Sequence, residues 1–108
     1  MKRVAVVGVG LVAFGRHPER TVAQLGAVAT LAALDDAGLQ WREAQSMYCG
    51  AFGVGITPGT RIGDALGLTG IPIVNVENAS ASGSSAFRSA YLDIASGRSD
   101  VSVAVGVG

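Results

Sequence analysis

The sequence holds one cysteine, one histidine and one tryptophan in 108 residues. The lone cysteine, Cys49, excludes an internal disulfide framework and any cysteine-rich zinc centre. The lone histidine, His17, leaves almost no material for a metal site or a local Ser-His-Asp triad. Charge is scarce as well, at 15% of residues where ordinary domains carry about 25%. Eight basic residues cancel eight acidic ones, so there is neither the basic footprint of a nucleic-acid binder nor a polybasic membrane anchor. No run reaches the length of about 18 apolar residues that a membrane span needs. A hydrophobic content of 49% at zero net charge also excludes disorder.

What is abundant is glycine, sixteen residues of it, together with alanine. That composition implies close backbone packing in place of a core of large side chains. With so little polar material, a chain this short is expected to be half of a larger fold or a subunit that hides much of itself in an interface. The start imitates a signal peptide, Lys2-Arg3 followed by a nearly apolar run over residues 4–14. Gly8, Gly10 and Gly15 interrupt that run and no small-residue cleavage site closes it. A buried strand entering a glycine loop is the favoured reading, and the cytoplasm the expected compartment.

Val4-Ala5-Val6-Val7 is a short run rich in β-branched residues, which suits a strand of a parallel sheet covered on both faces. Thr21 opens a helix, Gln24 completes a capping box, and Gly38 closes it. A turn over residues 41–44 leads to a second strand at 47–52. A short helix over 60–66 stops at Gly67. Residues 72–76 read as a third strand, at an edge because of Pro72. A third helix over 82–96 ends at Gly97, and 101–107 form a fourth strand. The order β-α-β-α-β-α-β over residues 1–108 predicts an α/β fold with a parallel or mixed sheet and right-handed crossovers. The third helix has only two charges and many serines, which can bond back to the backbone and tolerate burial, so it is expected between two layers.

Several residues invite a functional reading. Gly8-Val9-Gly10-Leu11-Val12-Ala13 matches G-x-G-x-x-G/A, but a dinucleotide site needs a helix at once, and here Phe14-Gly15-Arg16-His17-Pro18 follows. A structural turn is favoured. His17 reads as a solvated loop residue, Cys49 as an inert buried thiol, and Arg61 and Asp64 as solvated helix residues. Asn78-Ala79-Ser80 is formally a glycosylation sequon, without meaning in the absence of a secretory signal.

The informative segment is Asn75-Val76-Glu77-Asn78-Ala79-Ser80-Ala81-Ser82-Gly83-Ser84-Ser85-Ala86, where a strand ends, a tight turn follows and an all-small helix begins. This is the geometry of a nucleophile elbow without the hydrolase pattern G-x-S-x-G. On spacing alone, a serine-rich N-cap is an equal alternative. Together with Gly67-Leu68-Thr69-Gly70-Ile71-Pro72-Ile73-Val74 before it, the segment resembles the nucleophile region of thiolases, closest to the sterol carrier and lipid-transfer branch. Val6-Val7-Gly8-Val9-Gly10, Phe14-Gly15, Asp35-Asp36-Ala37-Gly38-Leu39 and the tail from Ala95 to Gly106 are similar to that branch too.

The resemblance implies a thiolase-like fold, the N-terminal portion of a layered α/β/α domain. It also implies chemistry on coenzyme A thioesters in lipid or steroid metabolism, with no covalently bound cofactor and no metal. It implies a homodimer joined through residues 72–77. In the family pattern the residue at Ser80 is a cysteine that accepts an acyl group, and a serine hydroxyl at a helix N-terminus gains too little to ionise without a base. Ser80 is therefore either an engineered replacement or natural, as in thiolase-like aldolases of steroid side-chain degradation. Those aldolases work with a partner carrying a zinc-and-OB-type domain. The aldolase-like reading is preferred, since Glu77 departs from a plain thiolase pattern. The rivals are a Rossmann-type dinucleotide module built on residues 8–13 and a non-catalytic binding or structural subunit.

Overall fold

A computed structural model describes residues 1–108. The elements are α1 (Val22–Ala37), a single 3-10 turn (Trp41–Glu43), β1 (Ser46–Ala51), α2 (Pro58–Leu66), β2 (Ile73–Val76), α3 (Ser82–Ala95) and β3 (Ser102–Val107). The strands form one parallel sheet in the order β2-β1-β3, with Met47 opposite both Ile73 and Val103. The α/β class and the helix-linked parallel strands are those the alternation predicts. No helix is long and apolar enough to cross a membrane.

Local chemistry explains the helix ends. Thr21 accepts the Gln24 N–H at 3.1 Å while the Gln24 side chain accepts the Thr21 N–H at 2.8 Å. These two bonds satisfy donors that a helix start otherwise leaves unpaired. Gly38 closes α1 in the left-handed region at φ 71°, where a side chain would be strained. The Trp41 indole donates to the Gly67 carbonyl at 2.7 Å, so the aromatic ring is fixed against the stop of α2.

Strand alternation sends the odd residues of β1 to one face and the even residues to the other. Met47 and Cys49 are fully buried with Ile62, Leu34, Ala27 and Val105 in the core under α1 and α2. Ser46, Tyr48 and Gly50 face α3 instead. That side is packed by Ala86, Ala90 and Ala95 and by the polar residues Ser46, Asp93 and Ser99. Small side chains let α3 lie close to the sheet. Ser89 and Ser96 bond back to the carbonyls of Ser85 and Asp93, at 2.9 and 3.1 Å, as expected of a serine-rich helix. Its other face carries Phe87 and Tyr91 into the open, so the second covering layer expected from its composition is not supplied by this chain.

One element differs. Residues 4–7 form no strand, and Val6 and Val7 are well over half exposed. Strand propensity becomes a strand only where a neighbour supplies the ladder. The sole backbone bond made by residues 1–13 runs from the Lys2 N–H to the Ala95 carbonyl at 3.0 Å. This segment instead lies along α1: Val9 N–H donates to the Asp36 carboxylate at 2.9 Å, and Gly8 and Gly10 press on the helix backbone.

Candidate functional site

The carboxyl ends of the parallel strands are where open α/β sheets bind ligands, and the turn from β2 into α3 stands there. Val76 ends β2, and Ala79 takes up φ +48°, a left-handed conformation that alanine rarely adopts. Its N–H donates to the Glu77 carboxylate. Ser82 is buried; its hydroxyl accepts the Asn78 N–H at 2.8 Å and donates to the Ala79 carbonyl at 2.7 Å. The Asn78 side-chain amide donates to the Ser85 hydroxyl at 3.2 Å.

The serines do not cap the helix. Ala81 is the N-cap residue and no side chain accepts from the backbone N–H groups of the first turn, which corrects the serine-rich N-cap reading. The backbone N–H groups of Gly83 and Ser84 find no acceptor within the chain. Such donors at a helix start favour negative charge nearby.

Ser80 is exposed at this turn, and its hydroxyl makes no hydrogen bond to the rest of the chain. The nearest carboxylate in sequence, that of Glu77, accepts the Ala79 N–H and makes no bond to Ser80. His17 is elsewhere, half-buried, with its ring Nε2 2.8 Å from the Ala13 carbonyl. No base is paired with Ser80.

Close packing sets the height of this turn above the sheet. A Cβ on Gly50 would stand 2.1 Å from the Ser82 carbonyl oxygen, and Gly106 lies under Gly83. Gly50→Ala is therefore expected to lift the start of α3 and lower stability by about 1–3 kcal/mol, the range for overpacking. Urea denaturation checks this, and an unchanged midpoint would contradict it.

Beside the turn, a cleft of about 160 Å³ is lined by Gly53, Gly55 and Thr57 on one side and Asn75, Val76 and Glu77 on the other. Asn75 steadies it by accepting the Gly59 N–H at 2.7 Å. Arg61 donates to the Val54 carbonyl at 2.8 Å and so ties down the glycine-rich loop, a role its reading as a solvated residue missed. A larger groove of about 350 Å³, by Trp41, Leu68 and Ile71, lies at the opposite end of the sheet and takes no part in this arrangement.

Other sequence candidates resolve as structure. A Cβ on Gly8 would stand 2.3 Å from the Ala33 carbonyl oxygen, and one on Gly10 2.4 Å from that of Ala29. The glycine pattern thus serves close packing on α1, with no strand before it and no helix directly after it. That overturns the local context a dinucleotide site requires. Cys49 is fully buried and its thiol is pushed up to about 11 by burial, against a smaller opposing effect of Arg61.

A polar cluster went unrecognised in the sequence. The Asp93 carboxylate, buried under α3, accepts hydrogen bonds from Ser46 at 2.7 Å and Ser99 at 2.6 Å. The Ser46 hydroxyl, its own proton given to Asp93, accepts from the Ser102 hydroxyl at 2.7 Å. The group joins the end of α3 to the starts of β1 and β3, at the far end of the sheet from Ser80.

The profile of the thiolase N-terminal domain matches residues 4–108. The chain is 38% identical to an acetyl-CoA acetyltransferase of Methanocaldococcus jannaschii, over 99% of this chain and 29% of that protein. It is also 38% identical to sterol carrier protein 2 of Gallus gallus, over 97% of this chain and 20% of that protein. In fold it is similar to the 3-oxoacyl-[acyl-carrier-protein] synthase III of Aquifex aeolicus, with a TM-score of 0.68 at 19% identity over 74% of this chain and 27% of that one. The chain thus spans less than a third of the length of these relatives. By the profile and the relatives together, it belongs to the thiolase family, matching that family's N-terminal domain.

Proposed function

We propose that the complete protein makes or breaks a carbon–carbon bond in a coenzyme A thioester without resting an acyl group on residue 80. The observation that carries this reading is Ser80 itself, at the position where the family pattern has its cysteine, exposed and unpaired with any base. A thiol there could be held as a thiolate by the start of α3; a hydroxyl gains far too little. What the turn retains is its capacity to favour an anion, through the free N–H groups of Gly83 and Ser84.

Retro-aldol cleavage uses that capacity directly. A base takes the proton of a β-hydroxyl group and its oxygen becomes a carbonyl. The electrons of the breaking carbon–carbon bond pass to the thioester as an enolate, which is then protonated. Lipid or steroid acyl groups are the substrate class in this reading, supported by the sterol carrier relative, and the base lies outside these 108 residues. A partner with a zinc-and-OB-type domain and a cytoplasmic setting belong to the same reading. The experiment is to give the complete protein a β-hydroxyacyl-CoA and follow the shortened acyl-CoA and the released carbonyl compound. Turnover of acetoacetyl-CoA with free CoA, without any cleavage, would establish acyl transfer instead.

Association is part of the proposal. β2 is an edge strand with Val74 partly exposed, and an apolar edge with unpaired backbone groups invites a second strand. We expect the complete protein to be a homodimer joined through residues 72–77. Light scattering at micromolar concentration should give the dimer mass, and a stable monomer with this strand exposed would contradict it.

A further inference from the structure

We infer that Ser82 is a positioning residue for residue 80: its hydroxyl fixes the peptide that leads into that position and sets where its side chain stands before α3. The inference rests on the reading of residue 80 as the reactive position, and not on which carbon–carbon reaction follows.

Ser82 is 4% exposed and linked to both the turn and the sheet. The carbonyl of Ala79 belongs to the peptide joining Ala79 to Ser80. It accepts the Ser82 hydroxyl at 2.7 Å and the Ser82 N–H at 3.1 Å. The same hydroxyl accepts the Asn78 N–H at 2.8 Å, so both its donor and an acceptor site are used. Between these bonds lies Ala79 at φ +48°, a conformation that alanine holds only when its surroundings impose it. On its other side the Ser82 carbonyl sits against Gly50, which anchors the whole arrangement to β1. A continuous path therefore runs from β1 through Gly50 and Ser82 to the peptide entering residue 80.

Alanine at position 82 would keep the helix but leave the Asn78 N–H without its acceptor and the Ala79 carbonyl with one bond fewer. The turn would then be free to relax from the left-handed conformation. The influence of a helix start on a reactive group falls off within its first turn, so a small displacement matters.

The test uses the complete protein carrying Ser80→Cys, with iodoacetamide as the probe at neutral pH. Alkylation is compared with Ser82 intact, with Ser82→Ala and with Ser82→Thr, subtracting the rate of the parent Ser80 protein. Circular dichroism and a thermal melt accompany each variant. Ser82→Ala is expected to slow alkylation about 10-fold through a smaller thiolate fraction, with the fold kept, and Ser82→Thr to restore it. Alkylation of the alanine variant as fast as with Ser82 intact would overturn the inference. Equal slowing in the alanine and threonine variants, or slowing only in proportion to lost fold, would overturn it too. Since the readout is a thiol rate, absence of any turnover with CoA thioesters would count against the proposed function and leave this result intact.

Discussion

Asp93→Ala is expected to lower the stability of the fold by about 3 kcal/mol, a large share of the roughly 5–15 kcal/mol that a domain possesses. The substitution would strip the acceptor from the hydroxyls of Ser46 and Ser99 while leaving both buried. Burial alone would raise the Asp93 carboxyl. Hydrogen bonds from Ser46 and Ser99, with the Tyr48 hydroxyl and the Arg98 charge nearby, outweigh that and hold it below the ordinary value of 3.8. A depressed carboxylate contributes stability that is fully present above the unfolded-state value and is lost as pH falls through the folded-state one. Acid titration of stability should thus show a decline below about pH 4 that Asp93→Asn removes. Arg98 stands 3.7 Å from the carboxylate but its own side chain is 78% exposed, so Arg98→Ala should cost under about 1 kcal/mol. Denaturation of the three variants checks the ranking. Equal losses for Asp93→Ala and Arg98→Ala would show that the buried hydroxyls are not what the carboxylate serves.

Ser80→Cys should create a thiol that iodoacetamide modifies on the order of 10²-fold faster than Cys49, because an exposed thiol at a helix start has a far larger thiolate fraction than one near 11. If the native chemistry is retro-aldol cleavage, the same substitution should leave that cleavage within about threefold of the parent rate, since proton transfer and enolate stabilisation carry it. Peptide mapping after labelling and a cleavage assay read the two effects separately. An acyl adduct on the introduced thiol, with no cleavage in either form, would mark Ser80 as a replaced thiolase nucleophile and overturn the aldolase-like reading.

What was legible in the sequence was local. The Thr21–Gln24 capping box and the stop at Gly38 could be placed to the residue, because each depends on neighbours within one helical turn. The same holds for the glycine that ends α2 and for the edge position of β2 after Pro72. The strand expected at residues 4–7 was not local in this sense. Its β-branched residues are a necessary condition, and none of the three strands of this sheet pairs with it.

The candidate site divides in the same way. Ser80 could be picked out from a strand, a turn and a small-residue helix. The left-handed Ala79 could not, since alanine carries no mark of φ as glycine or asparagine would. Ser82 was absorbed into a serine-rich N-cap, and only its two bonded partners show that it turns back on the elbow instead. Asp93 looked like one of two ordinary charges on α3. Its hydroxyl partners are 47 and 6 residues away, and no periodicity joins them.

The central claim is that no acyl group rests on residue 80, and intact-mass spectrometry of the native complete protein tests it most directly. The protein is exposed to an excess of acyl-CoA, quenched in acid and measured within seconds to minutes. The account predicts an unchanged mass, because the Ser80 hydroxyl stands exposed at the start of α3 with no base of this chain paired to it, and the base of the proposed reaction takes the proton of the substrate's hydroxyl instead. An acyl increment that maps to the peptide carrying Ser80 would contradict it.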